Sequence, residues 1–268
     1  MQISALEPVE TVRPAAAYIG GKRMLAKRLV ALINATPHTV YAEAFVGMGG
    51  VFFRRDRRPP AEIINDWSDD VSNLFRILQH HYVAFMDMLR FQLTTRSNFD
   101  RLLMQEPAAL TDLQRAARFI YLQRTAFGGL VKSRHFGVAM RSASFDITKL
   151  GPILEGIHER LANVVIERKP WAEFIARYDR PGTLFYLDPP YFGNEDDYGE
   201  GLFSRDQFDL MASQLGGLKG SFILSINDRP EIREIFHEFE MRAEEVTWSL
   251  SGAAKGRSRK FGELIITG

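Results

Sequence analysis

The sequence contains no cysteine. Disulfides, thiolate zinc sites and thiol nucleophiles are therefore excluded, and a reducing, cytoplasmic setting is expected. Long apolar runs are also missing. No stretch approaches the ~20 residues that span a bilayer, and the first residues lack the basic-then-apolar pattern of a signal peptide. No membrane association is expected. Internal repeats and low-complexity tracts are absent. Hydrophobic content of 46% with 25% charged residues is ordinary for a globular chain that buries a sizeable core. At 268 residues the length suits one large α/β domain, or a core domain with a smaller insertion.

Net charge is nearly absent as well, at +1, but its distribution is uneven. Arg115, Arg118, Arg124, Lys132, Arg134 and Arg141 follow one another without an acid between them. Lys255, Arg257, Arg259 and Lys260 form a second acid-free cluster, and Lys22, Arg23, Lys27 and Arg28 a third. One such run is usually a solvated face. Three in a near-neutral chain suggest a polyanionic partner. His80 and His81 are adjacent, which is not the spacing of helical metal ligands, so no metal is expected.

What is present is organised around Thr183–Leu187, a short apolar β-prone run that ends in Asp188-Pro189-Pro190-Tyr191. Asp188 then lies at the carboxyl end of a buried strand, where open α/β sheets bind ligands. Two prolines stiffen the loop and remove two N–H donors. A carboxylate, a proline carbonyl and an aromatic face suit a flat heterocycle bearing an exocyclic amine. The same four residues also fit a plain strand-to-helix turn with a capping Asp.

Upstream, residues 1–16 read as a loose arm. Tyr18-Ile19-Gly20-Gly21-Lys22 leads into a helix with Leu25, Leu29, Leu32 and Ile33 on one face. It is no P-loop, because the glycine spacing is wrong and Arg23 stands where Ser or Thr would hold magnesium. A strand at Thr39–Ala44 runs into Phe45-Val46-Gly47-Met48-Gly49-Gly50, and a second at Ala61–Ile64 ends at Asn65-Asp66. A glycine turn followed about 20 residues later by a strand-end acid suits the ribose of a nucleoside ligand. Residues 69–161 read as mainly helical, with a capping box at Thr111–Gln114 and a basic glycine- and aromatic-rich hairpin from Arg124 to Phe145. The sheet resumes at Val164–Ile166. A helix starts at Pro170-Trp171, another is capped by Ser204-Arg205-Asp206-Gln207, and strands follow at Ser221–Ile226, Met241–Leu250 and Phe261–Thr267. Strands alternating with helices predict a mostly parallel sheet.

Tyr18–Lys22, Phe45–Gly49, Asp66, the helical insertion, Asp188–Tyr191 and the late Arg259–Leu264 occur in the order found in the Dam-like, D12-class N6-adenine DNA methyltransferases, which the chain resembles from about residue 17 onward. The resemblance implies the class I S-adenosylmethionine-dependent methyltransferase fold, a seven-stranded mostly parallel sheet. Residues 17–68 and 162–268 would form the catalytic domain, and 69–161 an inserted helical target-recognition subdomain. It implies S-adenosylmethionine held by Tyr18, Lys22, Phe45, Gly47, Asp66 and Asp188, with Lys22 toward the methionine carboxylate and Asp66 on the ribose. Trp171 lies near the cofactor adenine or in the core. Asp188, Pro189, Pro190 and Tyr191 would hold the target amine. Double-stranded DNA would be met by Arg124, Lys132, Arg134 and Arg141 at bases and by Lys255, Arg257 and Arg259 at phosphates. Neither a metal nor an obligate protein partner is expected.

The chemistry is consistent with that implication. The N6 lone pair of adenine is delocalised into the ring, so acceptors at Asp188 and the Pro189 carbonyl must favour the charge that develops on N6. A stacked base has to flip out, costing a few kcal/mol, of which stacking on Tyr191 returns ~1–3 kcal/mol. Ala17 and Ile19 depart from the family's usual start, and Thr125–Arg134 replaces its Asn- and Tyr-rich recognition loop. Three alternatives fit the same residues: an RNA N6-adenine enzyme, a nucleic-acid-binding protein on an inactive scaffold, and a cytosine-N4 enzyme, although the last more often carries Ser where Asp188 stands.

Overall fold

The computed structural model describes residues 6–18, 22–126, 135–137, 145–193, 203–248 and 259–268, with the backbone alone at 246–248 and 259–261. A two-residue strand β1 (Glu7–Pro8) is followed by helix α1 (Ala26–Ala35), strand β2 (Val40–Glu43) and strand β3 (Arg57–Arg58). Strand β4 (Ala61–Asn65) then leads into five helices: α2 (Asp69–His80), α3 (Tyr82–Leu89), α4 (Arg96–Met104), α5 (Asp112–Thr125) and α6 (Ile147–Arg160). The chain returns through β5 (Val165–Glu167), α7 (Trp171–Tyr178), β6 (Thr183–Leu187), α8 (Asp206–Gly216), β7 (Ser221–Asn227), α9 (Pro230–Ile235), β8 (Glu240–Trp248) and β9 (Arg259–Thr267).

Seven strands make one sheet in the order β5-β4-β2-β6-β7-β9-β8. The five from β5 to β7 are parallel, while β9 runs antiparallel to both β7 and β8. This is the class I methyltransferase arrangement. Its two faces follow from the period of two along each strand. On β6, Leu184 and Tyr186 point into one core with Ile64, Ile223 and Ile265, and Phe185 and Leu187 into the other with Ala42, Leu224 and Ile266. All five β6 residues are buried, as expected for a strand covered on both faces.

Two regions differ from the sequence reading. From residue 6 the expected loose arm is fastened: β1 pairs with β3, the Val12 N–H donates to the Phe53 carbonyl at 2.8 Å, and Ala15 is fully buried. The inserted helical stretch shares one continuous apolar core with a face of the sheet, since Phe85, Phe119 and Leu150 cluster with Ile64 and Tyr186. The capping box at Thr111 and Gln114 is present in both directions. The one expected at Ser204 is not; Gln207 instead accepts a hydrogen bond from Trp171 Nε1 at 2.7 Å.

Beneath β2 lies a buried charged cluster that periodicity does not reveal. Glu62 receives Arg55 Nη1 at 2.6 Å and both terminal nitrogens of Arg160 at 2.5 and 2.7 Å. Arg55 stacks 3.7 Å from the Tyr41 ring centroid and Arg160 4.2 Å from that of Phe52. Next to it, Tyr41 donates its hydroxyl to Glu43 at 2.6 Å, and burial pushes the Glu43 carboxyl up to about 8.

Candidate active site

The chain leaves β2 toward β4 on one side and leaves β6 toward β7 on the other. A crevice therefore opens outside the carboxyl ends of β2 and β6, where doubly wound sheets bind their ligands. The glycine turn and the Asp188 loop both lie at this crevice.

Gly47 has φ +50° and Gly49 φ +74°, conformations that side chains disfavour. Space is short as well: a Cβ at position 47 would crowd the Tyr18 ring at 3.1 Å, and one at 49 would collide with the Phe53 ring at 2.1 Å. The turn is pinned from the next strand, with Gly47 N–H donating to Asp66 Oδ2 at 2.8 Å and Ser68 N–H to Oδ1 at 2.9 Å. Burial pushes the Asp66 carboxyl up to about 6, against the pull of those two donors. A carboxylate accepts about four hydrogen bonds, so Asp66 retains capacity for a ligand's hydroxyls. Asn65 ties three loops together by donating to the Ala44 and Lys169 carbonyls and accepting from Lys169 N–H. Trp67, which the sequence reading passed over, is 42% exposed beside Asp66. An aromatic residue directly after a strand-end acid was the available signal. Phe45 packs edge-on against Phe203, and Trp171 belongs to the core below, 8% exposed.

At the end of β6, Asp188 Oδ1 meets Lys22 Nζ at 2.7 Å, and Asp188 keeps 20% of its side chain exposed. Lys22 also reaches Glu263 Oε1 at 2.6 Å and donates to the Tyr191 hydroxyl at 3.0 Å. An ammonium has three donors, and all three are matched inside the protein. Lys22, which the resemblance places toward a methionine carboxylate, has its ammonium on Asp188 and Glu263 here. Burial alone would favour the neutral amine, but the two carboxylates and Tyr191 outweigh it and push the Lys22 ammonium up. Burial also pushes Asp188 up, opposed by Lys22 and helped by Glu263, to about 6. Tyr191 donates to Glu263 at 2.9 Å, and Pro189 and Pro190 are buried.

The structure brings Tyr18, Lys22, Phe45, Gly47, Asp66 and Asp188–Tyr191 to the glycine turn and the loop after β6. Of the basic candidates, Arg124 lies in the last turn of α5, is partly buried, and donates Nη1 to the Ala15 carbonyl at 2.7 Å. Ala126 and Phe136 form an antiparallel bridge just beyond it. Lys132, Arg134, Arg141, Lys255 and Arg257 lie outside the described residues, as does the Arg259 side chain. No group of three His, Cys, Asp or Glu among the described residues could hold a metal ion, and no helix among them is long and apolar enough to cross a membrane.

A family model, the D12 class N6 adenine-specific DNA methyltransferases, matches residues 18–249. The chain belongs to that family. Among its relatives, Type II methyltransferase M1.LlaDCHI of Lactococcus lactis subsp. cremoris is 26% identical over 96% of this chain and 95% of its own. Type II methyltransferase M.CviBI of Paramecium bursaria Chlorella virus NC1A is 22% identical over 84% and 86%, respectively. The Retron Ec67 DNA adenine methylase of Escherichia coli is 26% identical over 92% and 88%. The protein is an adenine-specific DNA methyltransferase that depends on S-adenosylmethionine.

Proposed function

We propose that this D12 enzyme acts on double-stranded DNA by drawing one adenine out of the stack against Asp188, Pro189 and Tyr191. The observation that carries this reading is the Asp188 carboxylate, held through one oxygen by Lys22 at 2.7 Å and still partly open to a guest. Asp188 and the Pro189 carbonyl accept the two amine hydrogens of the target and favour the positive charge that grows on N6. Asp188, pushed up to about 6, is then suited to receive the proton that N6 releases. Tyr191 offers its ring for stacking.

The residues present fit S-adenosylmethionine. Gly47 brings the backbone close, Asp66 retains acceptors for ribose hydroxyls, and the exposed Trp67 ring offers a face to a purine. Bound there, the group supplies a sulfonium methyl already activated for transfer. Tyr18 and Phe45 flank the turn. Asp66→Ala is expected to weaken S-adenosylmethionine binding about 10- to 100-fold, the loss of hydrogen bonds to a charged group, with DNA affinity unchanged. Calorimetric titration reads both; intact cofactor affinity would reduce Asp66 to a turn cap.

Arg134, Lys132 and Arg141 are assigned to bases, and Lys255, Arg257 and Arg259 to phosphates. Arg124 belongs with the first group, and its Nη1 donates to the Ala15 carbonyl. A restriction-modification setting follows the named type II relatives. Incubation with S-adenosylmethionine and unmodified double-stranded DNA, then methyl-resolved sequencing, should give N6-methyladenine in one defined context. Preferential labelling of RNA, N4-methylcytosine, or no methylation at all would overturn the reading.

A further inference from the structure

We propose that Glu263 is a positioning residue of the methyl-transfer site, fixing the Tyr191 hydroxyl directly and the Asp188 carboxylate through Lys22. The proposal rests on the function assigned above to Asp188 and Tyr191.

Glu263 lies on β9, on the same face as Ile265, and is 3% exposed. An acid on that face is costly to bury unless its oxygens are met. They are: Oε1 takes Lys22 Nζ at 2.6 Å, and Tyr191 OH lies 2.9 Å from Oε2 and 3.1 Å from Oε1. Lys22 closes the ring of contacts on Tyr191 and Asp188. Its ammonium also lies 4.3 Å from the Tyr191 ring centroid, which further restrains that ring. Opposite Glu263 on β7 stands Asn227. Asn227 accepts from Phe192 N–H at 2.9 Å and donates to the Phe192 carbonyl at 3.0 Å. Two facing residues of neighbouring strands therefore hold the Tyr191 side chain and the backbone that follows it. Tyr191 and Phe192 are thus held before any guest arrives, which is the condition for preorganised catalysis.

The charged and titratable groups around Asp188 are Lys22 from the segment before α1, Glu263 from β9, Tyr191 from its own loop, and Glu43 and Tyr186 from β2 and β6. Glu263 raises the Asp188 carboxyl and Lys22 lowers it. Neutralising each should therefore move the acidic limb of the rate profile in opposite directions.

The experiment compares wild type, Glu263→Gln, Lys22→Met, Tyr191→Phe and the double variant Glu263→Gln/Tyr191→Phe. It measures kcat on unmodified DNA from pH 5 to 9 and S-adenosylmethionine affinity by calorimetry. Glu263→Gln is expected to lose about 10²-fold in kcat, the scale of a misplaced catalytic group, with cofactor affinity intact. Its acidic limb moves to lower pH, and that of Lys22→Met to higher pH. The double variant should lose less than the product of the two single losses, because both remove the shared Glu263–Tyr191 contact. Wild-type kcat in folded Glu263→Gln, lost cofactor affinity with kcat intact, or limbs moving in the same direction would each overturn the proposal. If Glu263→Gln does not fold, Tyr191→Phe carries the test: it removes the same contact, and an unchanged kcat there counts against positioning. A wild type that transfers no methyl to DNA refutes the assigned function instead.

Discussion

Asp188→Ala is expected to lower methyl transfer by at least about 10³-fold, the upper range for removing one preorganised charge-stabilising group, while the protein stays folded. Lys22 keeps Glu263 and Tyr191 as partners in that variant, so its buried ammonium is not orphaned. Asp188→Asn retains shape and one acceptor but loses the charge, and it should be nearly as slow. In the wild type, activity should rise as pH increases through about 6, because the carboxylate that accepts the amine hydrogens is the ionised form. The residual rate of Asp188→Asn should lack that limb. Stopped assays across pH, with circular dichroism to verify folding, read both. A well-folded Asp188→Ala enzyme with near-normal turnover would remove Asp188 from the mechanism.

Linkage gives the same group a second signature. Between the ordinary aspartate range and about 6, folded Asp188 holds a proton that the unfolded chain has already released. Its contribution to stability therefore declines as pH rises through that window. Asp66 behaves likewise, and Glu43 does so up to about 8. At neutral pH the fold thus carries Asp66 and Asp188 ionised at some cost in stability, as functional sites commonly do.

The second large effect concerns stability alone. Glu62→Ala leaves Arg55, which is fully buried, and Arg160, whose side chain is 2% exposed, without their shared carboxylate. Breaking a buried ion pair in this way costs about 3–5 kcal/mol, which lowers Tm by roughly 10 °C in a chain of this size. Replacing all three charges together with Arg55→Met, Glu62→Leu and Arg160→Met should be close to neutral, because no uncompensated charge remains. Urea titration of wild type and the two variants separates the cases. A loss below about 1 kcal/mol in Glu62→Ala would show that water or a neighbour relieves the two guanidiniums.

Much of this architecture can be read from residue patterns, and the reason is periodicity. Apolar runs at 183–187 and 221–226 specify strands covered on both faces, and the 3.6 period through Val71, Leu74, Phe75 and Leu78 specifies α2. Motifs carried Gly47, Asp66 and Asp188 to one crevice because each sits at a strand end. What a pattern does not encode is which distant side chains converge. Glu62 and Arg160 are 98 residues apart, and Tyr191 and Glu263 are 72 apart. Glu263 read as one residue of a basic motif, although a lone acid on the inward register of Leu264-Ile265-Ile266 was a legible anomaly. The anchoring of residues 6–17 was hidden for another reason. It rests largely on backbone carbonyls, such as those of Ala15 and Ala17, accepting from Arg124 and Gln123, and a carbonyl has no sequence signature.

The three contacts of Lys22 also fix an order of events during synthesis. Its partners come from the loop after β6 and from β9, a late strand that is inserted between β7 and β8. Domains begin to fold while the ribosome is still adding residues, and here α1, β2, β4 and β6 can assemble early. Until β9 emerges and slides into its slot, Glu263 is missing, the Tyr191 hydroxyl has no acceptor there, and β7 ends the sheet with an open edge. A nascent chain can thus gather its ligand-binding turn well before its catalytic loop is held. Competence to modify DNA waits for a strand made after the catalytic loop.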